Sequence, residues 1–137
     1  MDKLIEQIKA HEGYRKKVYQ CTEGYDTIGY GFAIKDLELT EEICDSILKE
    51  KLIKLYSRAE KQFPFFNNLP VDIQDVLLNQ CYQMGVTGVS KFKKMLKAMD
   101  ERDWNRAADE MLDSRWAKQT PNRANELSEI VRNFKIN

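Results

Sequence analysis

The sequence predicts an α+β fold, mostly helical, and three observations predict it. Strand-like composition is confined to one short stretch near the N-terminus. From residue 40 onward apolar residues recur at helical spacing. One of those helical stretches is long enough to join two lobes, a small N-terminal one and a helical C-terminal one.

Taken in order, a first helix runs from Asp2 or Lys3 to about His11. Asp2 serves as its N-cap, Leu4, Ile5 and Ile8 form its apolar stripe, and Gly13 stops it. From Lys17 to Phe32 the chain is rich in Tyr, Thr, Val, Ile and Gly. This stretch predicts a β-hairpin turning near Thr22-Glu23-Gly24. Thr40 then caps a long helix that runs to about Gln62, with Ile43, Ile47, Leu48, Leu52, Leu55, Ala59 and Phe63 on one face. At 1.5 Å per residue it spans roughly 33 Å. A helix beginning at Pro70 carries Val76, Leu77 and Cys81 inward and ends at Met84-Gly85. Further helices follow Ser90, with Phe92, Met95, Leu96 and Met99, and Asp103, with Trp104, Ala107, Ala108, Met111 and Leu112. The last opens at Thr120-Pro121 and turns Ala124, Leu127, Val131 and Phe134 inward. The expected organisation is a single domain over 1–137: a hairpin lobe over 1–38, a connecting helix over about 40–62 and a helical lobe over 63–137. A cleft between lobes is the default binding site.

Composition narrows the chemistry. The chain has 22 Lys+Arg and 22 Asp+Glu, for zero net charge. That argues against a globally basic nucleic-acid or membrane-surface protein. Cys21, Cys44 and Cys81 are an odd number with no C-x-x-C pair, which argues against a disulfide framework and a thiolate metal site. His11 is the single histidine, so two-histidine sites are excluded. No metal and no cofactor are expected. No apolar run approaches the ~20 residues of a membrane span, and the first residues lack a signal-peptide pattern. Carboxylates, hydroxyls and thiols remain.

Among these, Glu12, Cys21 and Thr27 stand out. Glu12 ends the first helix, near the negative end of its dipole, which suits a carboxyl that must hold a proton for a general acid. An ordinary solvated charge is the alternative. On the hairpin, alternation puts Tyr25, Thr27 and Gly29 on one face and Asp26, Ile28 and Tyr30 on the other. With Ile28 toward the core, Thr27 faces outward, toward a cleft.

The spacing of Glu12, Cys21 and Thr27, within EGYRKKVYQCTEGYDTIGYG, resembles the catalytic signature of the phage-type lysozymes, glycoside hydrolase family 24. Two further blocks, NQCYQMGVTGVSKF (79–92) and SRWAKQTPNRA (114–124), resemble the family in the same order and extend the resemblance over nearly the whole chain. The resemblance implies a lysozyme-like two-lobe fold and a metal-free hydrolase of the β-1,4 bond between N-acetylmuramic acid and N-acetylglucosamine. It implies that Glu12 protonates the leaving oxygen while Cys21 and Thr27 hold a water on the opposite sugar face, giving inversion. Three roles stay open for Cys21: positioning water, acting as a thiolate base, or leaving the base role to a neighbouring acid such as Glu23. Cys44 and Cys81 read as helix filler.

The resemblance further implies that Gly31, Phe32, Tyr82 and Gln83 bind substrate and that Arg123 orients Glu12 from the other lobe. Phe32 stands where many family members have His. Tyr82 reads equally as helix core, and Trp104 and Trp116 read as core anchors. Lys91, Lys93, Lys94 and Lys97 form a local cationic patch, either steering the enzyme to an anionic wall or simply a solvated face. The implied partner is peptidoglycan, with no nucleic acid and no stable membrane insertion. The implied setting is a monomeric endolysin made in the host cytoplasm and acting in the periplasm after membrane permeabilisation, with a holin as possible helper. A tail-associated or toxin lysozyme is the same chemistry in another setting. Rival readings are a catalytically weak or inactive wall-binding module and a plain helical interaction protein.

Overall fold

The structure, a computed structural model, describes residues 1–135. The last two residues of the expected helical lobe lie outside the described residues. The chain divides into two compact units, Met1–Asp45 and the remainder from Ser46, with the boundary inside the long helix. Among the described residues, no helix is long and apolar enough to cross a membrane.

The first unit contains α1 (Asp2–Glu12) and a three-stranded antiparallel sheet, β1 (Arg15–Gln20), β2 (Asp26–Gly29) and β3 (Phe32–Ala33) in that order. Tyr19 pairs with Thr27 and Gln20 with Asp26, while Thr27 and Ile28 pair with Ala33 and Phe32. The hairpin is as expected; β3 is an addition. Two residues are too short for a period-two signal. What creates the strand is the reversal at Gly29 and Gly31, both left-handed at φ 70° and 74°. Asp2 is not a cap: it is the first helical residue, and α1 starts without a side-chain cap. Gly13 does stop the helix, at φ 74°, with its N–H bonded to the Lys9 carbonyl at 2.8 Å.

The expected apolar stripe of α1 is exposed, Leu4, Ile5 and Ile8 at 51%, 43% and 46%. Tyr14, Tyr30 and Phe32 instead form a chain of ring contacts at 5.8 and 6.1 Å. The long helix, α2 (Glu41–Gln62), starts where predicted, and the Ile43 N–H bonds the Thr40 hydroxyl at 3.2 Å. Its apolar stripe is buried only near its end. Ala59 and Phe63 are buried and Leu55 half-buried, whereas Ile43, Ile47, Leu48 and Leu52 are exposed. Periodicity reports which face is apolar; it does not report how far along the helix a core reaches.

The second unit holds α3 (Val71–Ser90), α4 (Lys93–Asp100), α5 (Trp104–Leu112), α6 (Arg115–Gln119) and α7 (Pro121–Arg132). Gly85, at φ 80° and ψ 155°, breaks α3 at the predicted Met84-Gly85 stop, and a short helical segment then continues to Ser90. Pro70 caps α3 rather than opening it. Asp103 caps α5 by accepting from the Arg106 N–H at 3.2 Å. The helix α6 is not anticipated by periodicity because it has only five residues. Ser114 caps it, accepting from the Ala117 N–H at 3.1 Å. The core is built by Phe66, Ile73, Leu77, Met95, Met99, Met111 and Val131. Trp116 is a buried anchor, while Trp104 is half-buried, edge-on to Phe134 at 5.5 Å.

Candidate active site

Backbone hydrogen bonds close the β1–β2 turn. The Cys21 N–H bonds the Tyr25 carbonyl at 2.9 Å, and the Gly24 N–H bonds the Cys21 carbonyl at 2.9 Å. Gly24 takes φ 84°, which a glycine adopts without strain. The backbone N–H groups of Tyr25 and Glu23 bond the half-buried Cys21 sulfur and hold its thiol below the ordinary value of 9.0. Partial desolvation opposes them, a hydrogen bond with Thr27 reinforces them, and the Glu23 charge opposes them weakly. Glu23 itself lies in the turn and exposed, as its sequence position suggests.

Thr27 does not face outward. It is the buried residue of the sheet, 4% exposed, paired across to Tyr19 on one side and Ala33 on the other. Ile28, expected to face the core, is only half-buried. Strand parity assigns faces relative to one another, and here the covered face is the opposite one. The Thr27 hydroxyl donates to the Tyr25 carbonyl at 3.0 Å and also reaches the Cys21 sulfur. A hydroxyl has one proton, so it serves either the carbonyl or a thiolate, and toward a neutral thiol it accepts.

Glu12 is the last residue of α1 and is exposed. Its carboxylate lies against Gly31: a Cβ at Gly31 would collide with Oε2. Phe32 is 46% exposed and stands edge-on to Tyr30. The first unit therefore carries Glu12, Cys21, Thr27, Gly31 and Phe32, with two direct pairings, Glu12 with Gly31 and Cys21 with Thr27.

The second unit carries Tyr82, Gln83 and Arg123. Tyr82 is 50% exposed and is not helix core. Gln83 Oε1 accepts from the indole N–H of buried Trp116 at 2.8 Å. Among the described residues its amide N–H groups make no bond to the protein, so Gln83 can donate to a ligand while one lone pair of its oxygen is taken by Trp116. Arg123 donates from Nε and Nη2 to Asn79 Oδ1 at 2.9 and 2.6 Å, and from Nη2 to the Asn79 carbonyl at 3.3 Å. Asn79 and the second role of Trp116 escaped sequence reasoning. The available signal was spacing: Asn79 and Gln83 are four apart and share a helix face.

Lys91, Lys93 and Lys94 border a cavity of about 540 Å³ whose apolar wall includes Phe92 and Trp116. Glu110 and Asp113 also line it, so it is not a purely cationic surface, and Lys97 pairs with Glu101 at 4.0 Å. Cys44 is exposed rather than packed, whereas Cys81 is buried and its thiol is pushed up to about 12 by desolvation.

Comparison with known proteins adds a family. The model of the phage lysozyme family matches residues 9–132. Over 93% of this chain and 92% of its own length, Probable T4-type lysozyme 2 of Dictyostelium discoideum is 32% identical. The pre-baseplate central spike protein Gp5 of Enterobacteria phage T4 is also 32% identical, over 93% of this chain and 27% of Gp5. An endolysin of Acyrthosiphon pisum secondary endosymbiont phage 1 is 27% identical over 88% of this chain and 82% of its own length.

Proposed function

This chain belongs to the phage lysozyme family and is a glycoside hydrolase of the lysozyme type acting on peptidoglycan, and on that premise we propose how its residues do the work. The bond cleaved is the β-1,4 link between N-acetylmuramic acid and N-acetylglucosamine, with inversion at the anomeric carbon. Glu12 gives its proton to the leaving glycosidic oxygen as the C–O bond breaks. A water attacks the opposite face and loses its proton to the Cys21 thiolate. Thr27 holds that water and the sulfur in register. Gly31 and Phe32 flank the acid, Tyr82 offers a ring face to a sugar C–H face, and Gln83 donates to an acetamido carbonyl. On the helical unit, Asn79 fixes the fork of Arg123 through Nε and Nη2. The biological role is lysis of a phage's host cell.

The observation that carries this reading is the contact of Thr27 with a Cys21 sulfur already bonded by two backbone N–H groups. Such a nest favours a charged sulfur, the form able to take a proton from water. The test is clearing of permeabilised Gram-negative cells by wild type, Glu12→Gln and Cys21→Ser, with product anomers read by NMR. Glu12→Gln should lose about 10²–10⁴-fold in rate. A retained β-anomer would contradict inversion, and a wild type inactive at every pH and salt would sink the reading.

A further inference from the structure

On the second unit, α2 and α3 border two adjoining cavities of about 370 and 470 Å³ that share Arg58, Gly85 and Val86 as walls. Lys51, Lys54 and Arg58 line the first; Arg58 and Lys61 line the second. Steps of three, four and three residues return these four cations to one face of α2. At 1.5 Å per residue they form a row of roughly 15 Å, one positive charge about every 5 Å. Among the described residues, no carboxylate lines either cavity and none of the four makes an ion pair. Gly85 leaves open space where a side chain would stand, so the floor at the α3 break is unobstructed. Tyr82, half-exposed, stands at one end.

The geometry points to a binding groove for a linear polyol phosphate of the cell wall, which shares only Tyr82 with the residues assigned to hydrolysis and sugar binding. Regularly spaced charges on one helix face suit a polymer whose anions recur along its backbone better than a single anion. Arg58, shared by both cavities, presents a planar fork matched to phosphate oxygens. A nucleic acid is the weaker fit: Tyr82 alone offers a ring to stack bases, and the chain as a whole has zero net charge. The site stands on its own geometry, while the choice of a wall polymer rests on the proposed wall-hydrolase function. On walls that carry such a polymer, binding there would hold the enzyme on its insoluble substrate between cleavages.

The test is fluorescence anisotropy of labelled poly(glycerol phosphate) against the full chain over a salt series, with polyuridylate of matched length as the nucleic-acid arm. Four phosphate contacts predict a log-log salt slope of about −3. Lys54→Gln/Arg58→Gln should weaken binding about tenfold or more and flatten that slope by about 1.5. Lys49→Gln/Lys118→Gln, the same change in net charge made off the row, should stay within about twofold of wild type. Thermal unfolding of each variant checks that it is folded. No binding, equal loss in both double variants, or polyuridylate binding as tight as the wall polymer would overturn the proposal. Glu12→Gln separates the two claims. If it binds the polymer as wild type does while wild type clears no cells, the hydrolase reading has failed and the groove has not.

Discussion

The Glu12 carboxylate occupies the space that a side chain on Gly31 would need, so residues from the end of α1 and the β2–β3 turn define one position for the acid. Gly31 is also left-handed, at φ 74°. Gly31→Ala should therefore act twice. Backbone strain should cost about 1–2 kcal/mol of stability. Displacing the carboxylate by about an ångström should cost on the order of 100-fold in kcat. Calorimetry and clearing rates measure the two effects separately, and a variant with normal kcat would remove Gly31 from the acid's positioning.

The thiols should separate by reactivity. Cys21 is held below 9.0 by its two backbone N–H groups, whereas burial pushes Cys81 up to about 12. Alkylation of the native protein, followed by mass spectrometry against pH, should show Cys21 modified with an inflection below 9.0 and Cys81 spared until the protein unfolds. Modification of Cys81 before unfolding would contradict its burial.

If the thiolate takes the proton from water, activity must be lost as pH falls through the folded Cys21 value, because protonation removes the base. The rising limb of the clearing rate should then coincide with the Cys21 alkylation curve. In Cys21→Asp that limb should move down toward the carboxylate range near ~4. A limb that stays put in Cys21→Asp leaves Cys21 only the role of positioning water.

Gln83→Leu should destabilise the helical unit by about 1–3 kcal/mol, since it leaves the buried Trp116 indole N–H without its acceptor. Denaturant unfolding would show this as a lower midpoint with an unchanged slope.

Gln80 is fully buried; its Nε2 donates to the Met95 sulfur at 3.4 Å, and its Oε1 has no partner among the described residues. Gln80→Met keeps the volume and removes the unpaired carbonyl, so it should stabilise by about 1 kcal/mol. A lower melting temperature in this variant would show that the carbonyl is satisfied in solution.

Local chemistry determined much of this protein from the sequence alone. Thr40 caps its helix, Gly13 stops α1, Gly85 breaks α3, and the strands cluster in one stretch, because each depends on a few adjacent residues. The spacing of Glu12, Cys21 and Thr27 led to the phage lysozyme family, which the match over residues 9–132 bears out. What depends on contacts between distant segments was decided by the tertiary structure. Parity could not say which face of β2 is covered, so Thr27 proved buried. Periodicity could not say where on α2 the core ends, so Ile43 to Leu52 proved exposed. The partners of Trp116 and Arg123 lie 33 and 44 residues away, and the α2 cation row meets the α3 break only through folding. A sequence pattern records the period of a segment; the identity of its neighbour is a property of the packed chain.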